Sequence, residues 1–505
     1  MSKKSENINL MNDLMKGVTK VFLCVMIGVF PFYYQNNYIN IVNAKSSFFE
    51  ITVTALIAVG LVFIIPGFFK EFQMRTAVIK FSITDYFAIL FAFTVVLSCI
   101  LSPVGKEAFI GEYGRQLGGK ALLLYVAVYF IVSRYYKSGQ LLIWVFLIAN
   151  VLMCILFCLN FWGINILNMY SNLAEWQKPF FMGTLGNVDI NAEYFSVITA
   201  LFMALFYLVE EKLSKICFGG AVVLGVYTCF ATSTDSWLLA VGVAYVVIFA
   251  LAMKDVKKLQ KWWMLCVFFF SGSILIKLTE RIDSMLGTSN VWITTLRIQE
   301  HLPLLFSWRV LIVELLLLGI SGWMLMKNKG IQFLGNYGNK ILLGIVLLGA
   351  VITAVKLFPL NDSFGGGRGY IWKRTIANFT HMPILQKLFG YGPNCFLQSM
   401  EERYGTEMRA LYGDPFIDAH NEALQFLAVT GLFGVISYMG MQISLLVTCI
   451  RKHKTKMLAV LGCVGITAYI LQGMVNNPQV FTTPILFIFL GVMDNLVNRN
   501  QEVSN

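Results

Sequence analysis

GQLLIWVFLIANVLMCILFCLNFWG, residues 139 to 163, runs for 25 positions without a charged residue or a proline. At 1.5 Å per residue, a helix of that length exceeds the roughly 30 Å hydrocarbon core of a bilayer. It also has no polar face to offer water, so the stretch predicts a membrane span. Similar runs recur near residues 17–35, 48–69, 84–103, 119–134, 190–209, 213–231, 235–253, 262–278, 307–326, 340–358, 419–449, 456–474 and 480–497. The whole chain has the matching composition: of 505 residues, 57% are hydrophobic and 13% charged, too little polar surface for a soluble globule. The expected fold class is therefore an all-α polytopic membrane protein of about fourteen transmembrane helices. It divides into a membrane domain (1–358, about eleven spans), one large extracytoplasmic loop (359–418) and a C-terminal membrane segment (419–505, about three spans). The first run is followed by aromatic and Asn residues rather than the small residues of a cleavage site, and reads as an uncleaved span.

Orientation follows from the basic residues. With the N-terminus inside, the inner connections carry 23 of the 39 Lys and Arg, and the outer ones 16, seven of them in the 359–418 loop. Long loops obey the charge rule weakly, so the remaining bias is decisive: both termini are expected in the cytoplasm and the protein in the cytoplasmic membrane. The net charge of +12 thus reflects basic helix ends rather than nucleic-acid binding, and no nucleic-acid partner is expected. Nine of the ten cysteines lie in or beside apolar runs and Cys395 alone sits in the large loop, so neither a disulfide framework nor a zinc site is expected.

The inner connections, such as KDVKKLQK (254–261) and RKHKTK (451–456), read as topological anchors. Chemistry is expected outside, above all in the long loop, which opens with NDSFGGGRGYIWKRT and closes with YGDPFIDAHNEALQFLAVTGLFG. Three glycines before Arg368 either turn backbone amides inward as an anion nest around a guanidinium, or form a flexible turn into an interfacial helix anchored by Tyr370 and Trp372. His420, two residues after Asp418 and beside Asn421 and Glu422, reads as a general base oriented by an acid, or as an ordinary hydrogen-bonding residue at the interface. Glu314, inside the tenth span, is either functional or paired with Arg309 or with a polar group of another span.

Together these segments resemble the bacterial O-antigen ligase and O-antigen polymerase superfamily. HNEALQFLAVTGLFG is similar to its HN, LQ, G, G signature, GRGYIWKRTIANFTHMPILQKLFGYGPNCF to its Arg, Trp, P, GxGP pattern, and GTLGNVDINAEYF (183–195) to its GTFGNPN segment. The resemblance covers residues 183 to 434 and extends to the topology. It implies a membrane glycosyltransferase of the GT-C-like class, acting in surface polysaccharide biosynthesis at the cell envelope. The donor would be an undecaprenyl-diphosphate-linked glycan, the acceptor a hydroxyl on glycan, lipid or protein, and the surroundings membrane lipid. His420 and Arg368 are the implied catalytic residues, with Arg115, Asn421, Glu422, Arg281 and Arg297 binding substrate. One departure is plain: the family's TxSRG segment reads TSTDSWLLA here, with Trp237 in the place of the Arg, so Arg115, Arg281 or Arg297 would have to substitute. Diphosphate leaves once its charge is neutralised, and the chain has no DxD sequence, so the expected mechanism uses neither metal nor cofactor. The alternative is a lipid-linked oligosaccharide flippase or polysaccharide transporter, although no internal repeat of the kind transporters show is visible.

Overall fold

The computed structural model describes residues 3–73, 80–112, 114–286, 308–327, 337–349, 351 and 360–499. Arg297 lies outside them. A helix occupies each of the fourteen apolar stretches, from Lys3–Gly28 to Thr483–Asp494. Among the described residues, eight helices are long and apolar enough to cross a membrane, and Trp237–Ala252, Tyr337–Gly349 and Ala459–Gly473 are shorter apolar helices. Strand is confined among them to a two-residue hairpin, Phe181–Met182 with Gly186–Asn187.

Local chemistry sets the helix starts. Ser82 begins Ile83–Leu101 with a capping box, its hydroxyl accepting from the Asp85 amide at 3.2 Å while Asp85 accepts from the Ser82 amide at 2.8 Å. Glu211 caps Lys212–Ala231 through the amides of Leu213 and Ser214. Burial then sorts the bundle: Val188–Leu208 is 94% buried in the protein and Ile41–Pro66 only 22%, so the former is the central post and the latter faces lipid. The central helix packs on Lys212–Ala231, Trp237–Ala252 and Ala459–Gly473, while Glu422–Lys452 packs on Ile83–Leu101.

Glu422–Lys452 is broken at Gly431, where φ is +70°. Leu388 to Gly390 of the long loop press into this break so closely that a Cβ on Gly431 would lie 2.4 Å from the Leu388 carbonyl carbon, and one on Gly390 2.2 Å from that of Val429. Tyr391 and Gly392 donate their amides to the carbonyls of Ala428 and Val429, both at 3.0 Å. The GxGP segment and the first glycine of TGLFG therefore weld loop to bundle, main chain on main chain, as only glycine allows.

Inside the bundle, Glu314 pairs with a polar group of another span: Lys277 Nζ at 2.6 Å, with Ser273 Oγ donating at 2.9 Å. The long loop itself is helical over Arg368–His381, Ile384–Phe389 and Phe396–Tyr412.

Candidate functional site

The segment 413–421 returns from the long loop to the bundle, and its polar residues meet three other parts of the chain. Asp418, 1% exposed, accepts from Arg115, whose Nε and Nη2 both address Oδ2, at 2.9 and 2.7 Å. Burial alone would raise the Asp418 carboxyl, but the Arg115 guanidinium outweighs it and holds the group below the usual carboxylate range. On its other oxygen, Asp418 accepts from the Asn477 side-chain amide. Asn477 also reaches His420, its Nδ2 standing 3.3 Å from the ring Nδ1, while His420 Nε2 lies 3.4 Å from Asp418 Oδ1. His420 holds a left-handed backbone, φ +46°, which non-glycine residues rarely adopt. Burial pushes its imidazole down from the ordinary value, Asp418 pulls it back up, and Arg368 and Arg115 push it down again. The net direction is downward, so the ring is neutral near pH 7 and able to take a proton.

Arg368 opens the Arg368–His381 helix after Gly365, Gly366 and Gly367, at φ +59°, +68° and +99°. The amides of Gly369, Tyr370 and Ile371 bond back into this turn, whereas those of residues 365 to 368 meet no backbone carbonyl among the described residues. Lys373 and Arg374 are taken by Asp362 and Glu407, at 2.6 and 2.5 Å. Arg368 has no acidic partner among the described residues: Nη1 makes a long 3.4 Å contact to Gly365 O, and Nε is buried without a bond. One turn along the same helix face, Trp372 donates to the His420 carbonyl at 3.4 Å, tying Arg368's helix to the imidazole. Tyr370 is fully buried against Tyr412 and Phe416, so it packs the loop rather than anchoring it in lipid.

The other expected site residues have different roles. Asn421 caps Glu422–Lys452, accepting from the Leu424 amide at 3.0 Å and donating to Met474 O at 2.8 Å. Glu422, 3% exposed, accepts from Tyr438 and Tyr469 at 2.8 and 2.7 Å. Both side chains are thus committed to holding the helix that carries His420. Arg115 is committed to Asp418, and Arg281 lies in the last turns of Val256–Leu286. Trp237 is buried against Phe230 and Phe269 and brings no charge to the site. The sequence reading missed Asn477. Its signal was VNNPQ (475–479), two amides before a proline in an otherwise apolar outer connection.

Two cavities adjoin this cluster. One of about 50 Å³, beside Arg115, Asn394, Asp418, Gln425 and Asn477, has room for a few waters. The other, about 190 Å³ and mostly apolar, is lined from Leu458 and Leu496 up to Tyr194, Thr482 and Glu193, whose carboxylate accepts from Thr482. The arrangement combines a neutral base, an uncommitted guanidinium and exposed amides beside a lipid-sized groove. No protein-family model matches the chain, and no curated protein matches it.

Proposed function

We propose that the protein is a metal-independent glycosyltransferase that moves glycan from undecaprenyl diphosphate to an acceptor hydroxyl at the outer face of the cytoplasmic membrane, as a surface-polysaccharide polymerase or ligase. All fourteen helices cross the membrane, with both termini inside and the long loop outside. The observation that carries the reading is the contrast at the His420 cluster: a neutral imidazole beside the one loop arginine of this helix face that has no carboxylate to hold.

The acceptor oxygen attacks the anomeric carbon as the bond from that carbon to the diphosphate oxygen breaks. The bonding pair leaves with the diphosphate, and the hydroxyl proton passes to His420 and then to water. Arg368 and the glycine-turn amides neutralise the charge gathering on the leaving group, which replaces a general acid. The apolar groove reaching Glu193 suits the polyprenyl tail.

The test is the lipid-linked glycan that accumulates in a deletion strain. Single repeat units outside the membrane would identify a polymerase, and full-length chains still on the lipid a ligase. Repeat units trapped on the inner leaflet would overturn the reading in favour of a flippase.

A further inference from the structure

We infer that Asn477 is a positioning residue that fixes the tautomer of His420 and keeps the ring in its neutral, proton-accepting state, with Nδ1 as the unprotonated nitrogen. The inference rests on the proposed glycosyl transfer for its purpose, and on geometry for its substance.

The argument starts at Arg115. Two of its nitrogens on Oδ2 keep Asp418 ionised, so Asp418 can only accept. The Asn477 side-chain atom against Asp418 Oδ1 must therefore be the NH₂ group, which fixes the orientation of the amide. That same NH₂ faces His420 Nδ1 at 3.3 Å. Two donors cannot bond each other, so Nδ1 carries no hydrogen and the neutral ring carries its proton on Nε2, on the side of Asp418. An imidazolium would point a second N–H at the Asn477 amide, so this arrangement selects against the charged ring.

The charged groups acting on His420 from the surrounding elements are Asp418 on its own segment, Arg368 on the loop helix, Arg115 on the 111–118 turn and Asp189 at the start of Val188–Leu208. Asn477 is neutral and acts through hydrogen-bond direction instead. When the acceptor hydroxyl arrives, it takes over the Nδ1 lone pair that Asn477 occupies at rest. The left-handed backbone at His420 holds the ring at this junction, between Asp418 and Asn477.

Diethyl pyrocarbonate reacts with neutral imidazole, so its rate of reaction with the His420 peptide of the full-length protein, followed by mass spectrometry against pH, reports the protonation of that ring without any turnover. Asn477→Asp places an acceptor oxygen where the amide donated, and should raise the midpoint by about one unit or more. Asn477→Ala removes the donor and should raise it by less, and it covers the case in which the acidic variant does not fold. The acid limb of the rate profile should move with the midpoint in either variant, with about tenfold less activity at pH 7 for a one-unit shift and recovery at higher pH. Unmoved midpoints in the folded variants would overturn the inference, even if activity fell uniformly. A shifted midpoint with an unmoved rate profile would uphold the role of Asn477 and remove His420 as the base, separating this inference from the proposed function.

Discussion

The bundle carries an ionic cluster at each end, and they are balanced differently. At the end where Ile83–Leu101 begins, fully buried Asp85 accepts from Arg134 and Tyr129, both at 2.9 Å, and from Arg499. Arg499 also reaches Asp494 at 2.9 Å and Lys80 O at 3.0 Å. Two acids there meet two arginines. At the other end, Asp418 meets Arg115, and Arg368 remains over with a neutral histidine. A saturated cluster has nothing left for a ligand and fastens the chain, since removing either member strands a buried charge. An unsaturated one holds a guanidinium whose donors are still to be filled, and that distinguishes a site from a clasp.

The comparison is sharpened first by asking which end faces out, an all-or-none result. Thr406→Cys, on an exposed turn of Phe396–Tyr412, should react with an impermeant maleimide in intact cells, whereas Thr455→Cys should react only after permeabilisation. The reverse pattern would put the unsaturated cluster inside and end the outer-face mechanism. Next in size, His420→Ala should keep donor binding and lower turnover about 100- to 10,000-fold. Near-normal turnover at saturating acceptor would dismiss it as the base.

Arg368→Ala should weaken donor binding and slow the reaction together, by about 100- to 1,000-fold if it acts as a leaving-group stabiliser. Because the guanidinium has no acidic partner to strand, the melting temperature should hold. Arg368→Lys should recover part of the activity, since an ammonium cannot bridge two phosphate oxygens as a planar fork does, and full recovery would refute the assignment. Arg499→Ala should show the opposite split: a stability loss of about 3 kcal/mol, with turnover per folded molecule within about twofold. If Arg368 proved the stability residue and Arg499 the catalytic one, the distinction between clasp and site would collapse. The smallest effect is expected from EDTA, which should leave purified enzyme at nearly its normal rate; loss restored by magnesium would contradict a metal-free mechanism.

Much of the fold was legible because hydrophobic length is a local property: each uncharged run falls on a helix, and the split between inner and outer connections follows from counting Lys and Arg. Within the loop the reading stopped short, because Arg368–His381 and Phe396–Tyr412 are mixed polar helices with no span signal. His420 and Arg368 stood out by residue type and are brought to one place. The partnerships around them did not, since Arg115 meets Asp418 across 303 positions and Asn477 meets His420 across 57. Asn421 and Glu422 were adjacent to the histidine in sequence, and that adjacency favoured substrate contact. A helix start turns them inward instead, toward Met474 O and the two tyrosines.

The seam at Gly390 and Gly431 bears on how such a protein can diversify. It is made of peptide groups, Tyr391 to Ala428 and Gly392 to Val429, with no side chain contributing its strength. The outward residues of the two longer loop helices can therefore be exchanged to suit a new sugar without loosening the attachment that keeps Arg368 and Trp372 over His420. The rivet is invariant in kind while the surface it carries is open to change, a division of labour that lets recognition drift while the reaction geometry stays put.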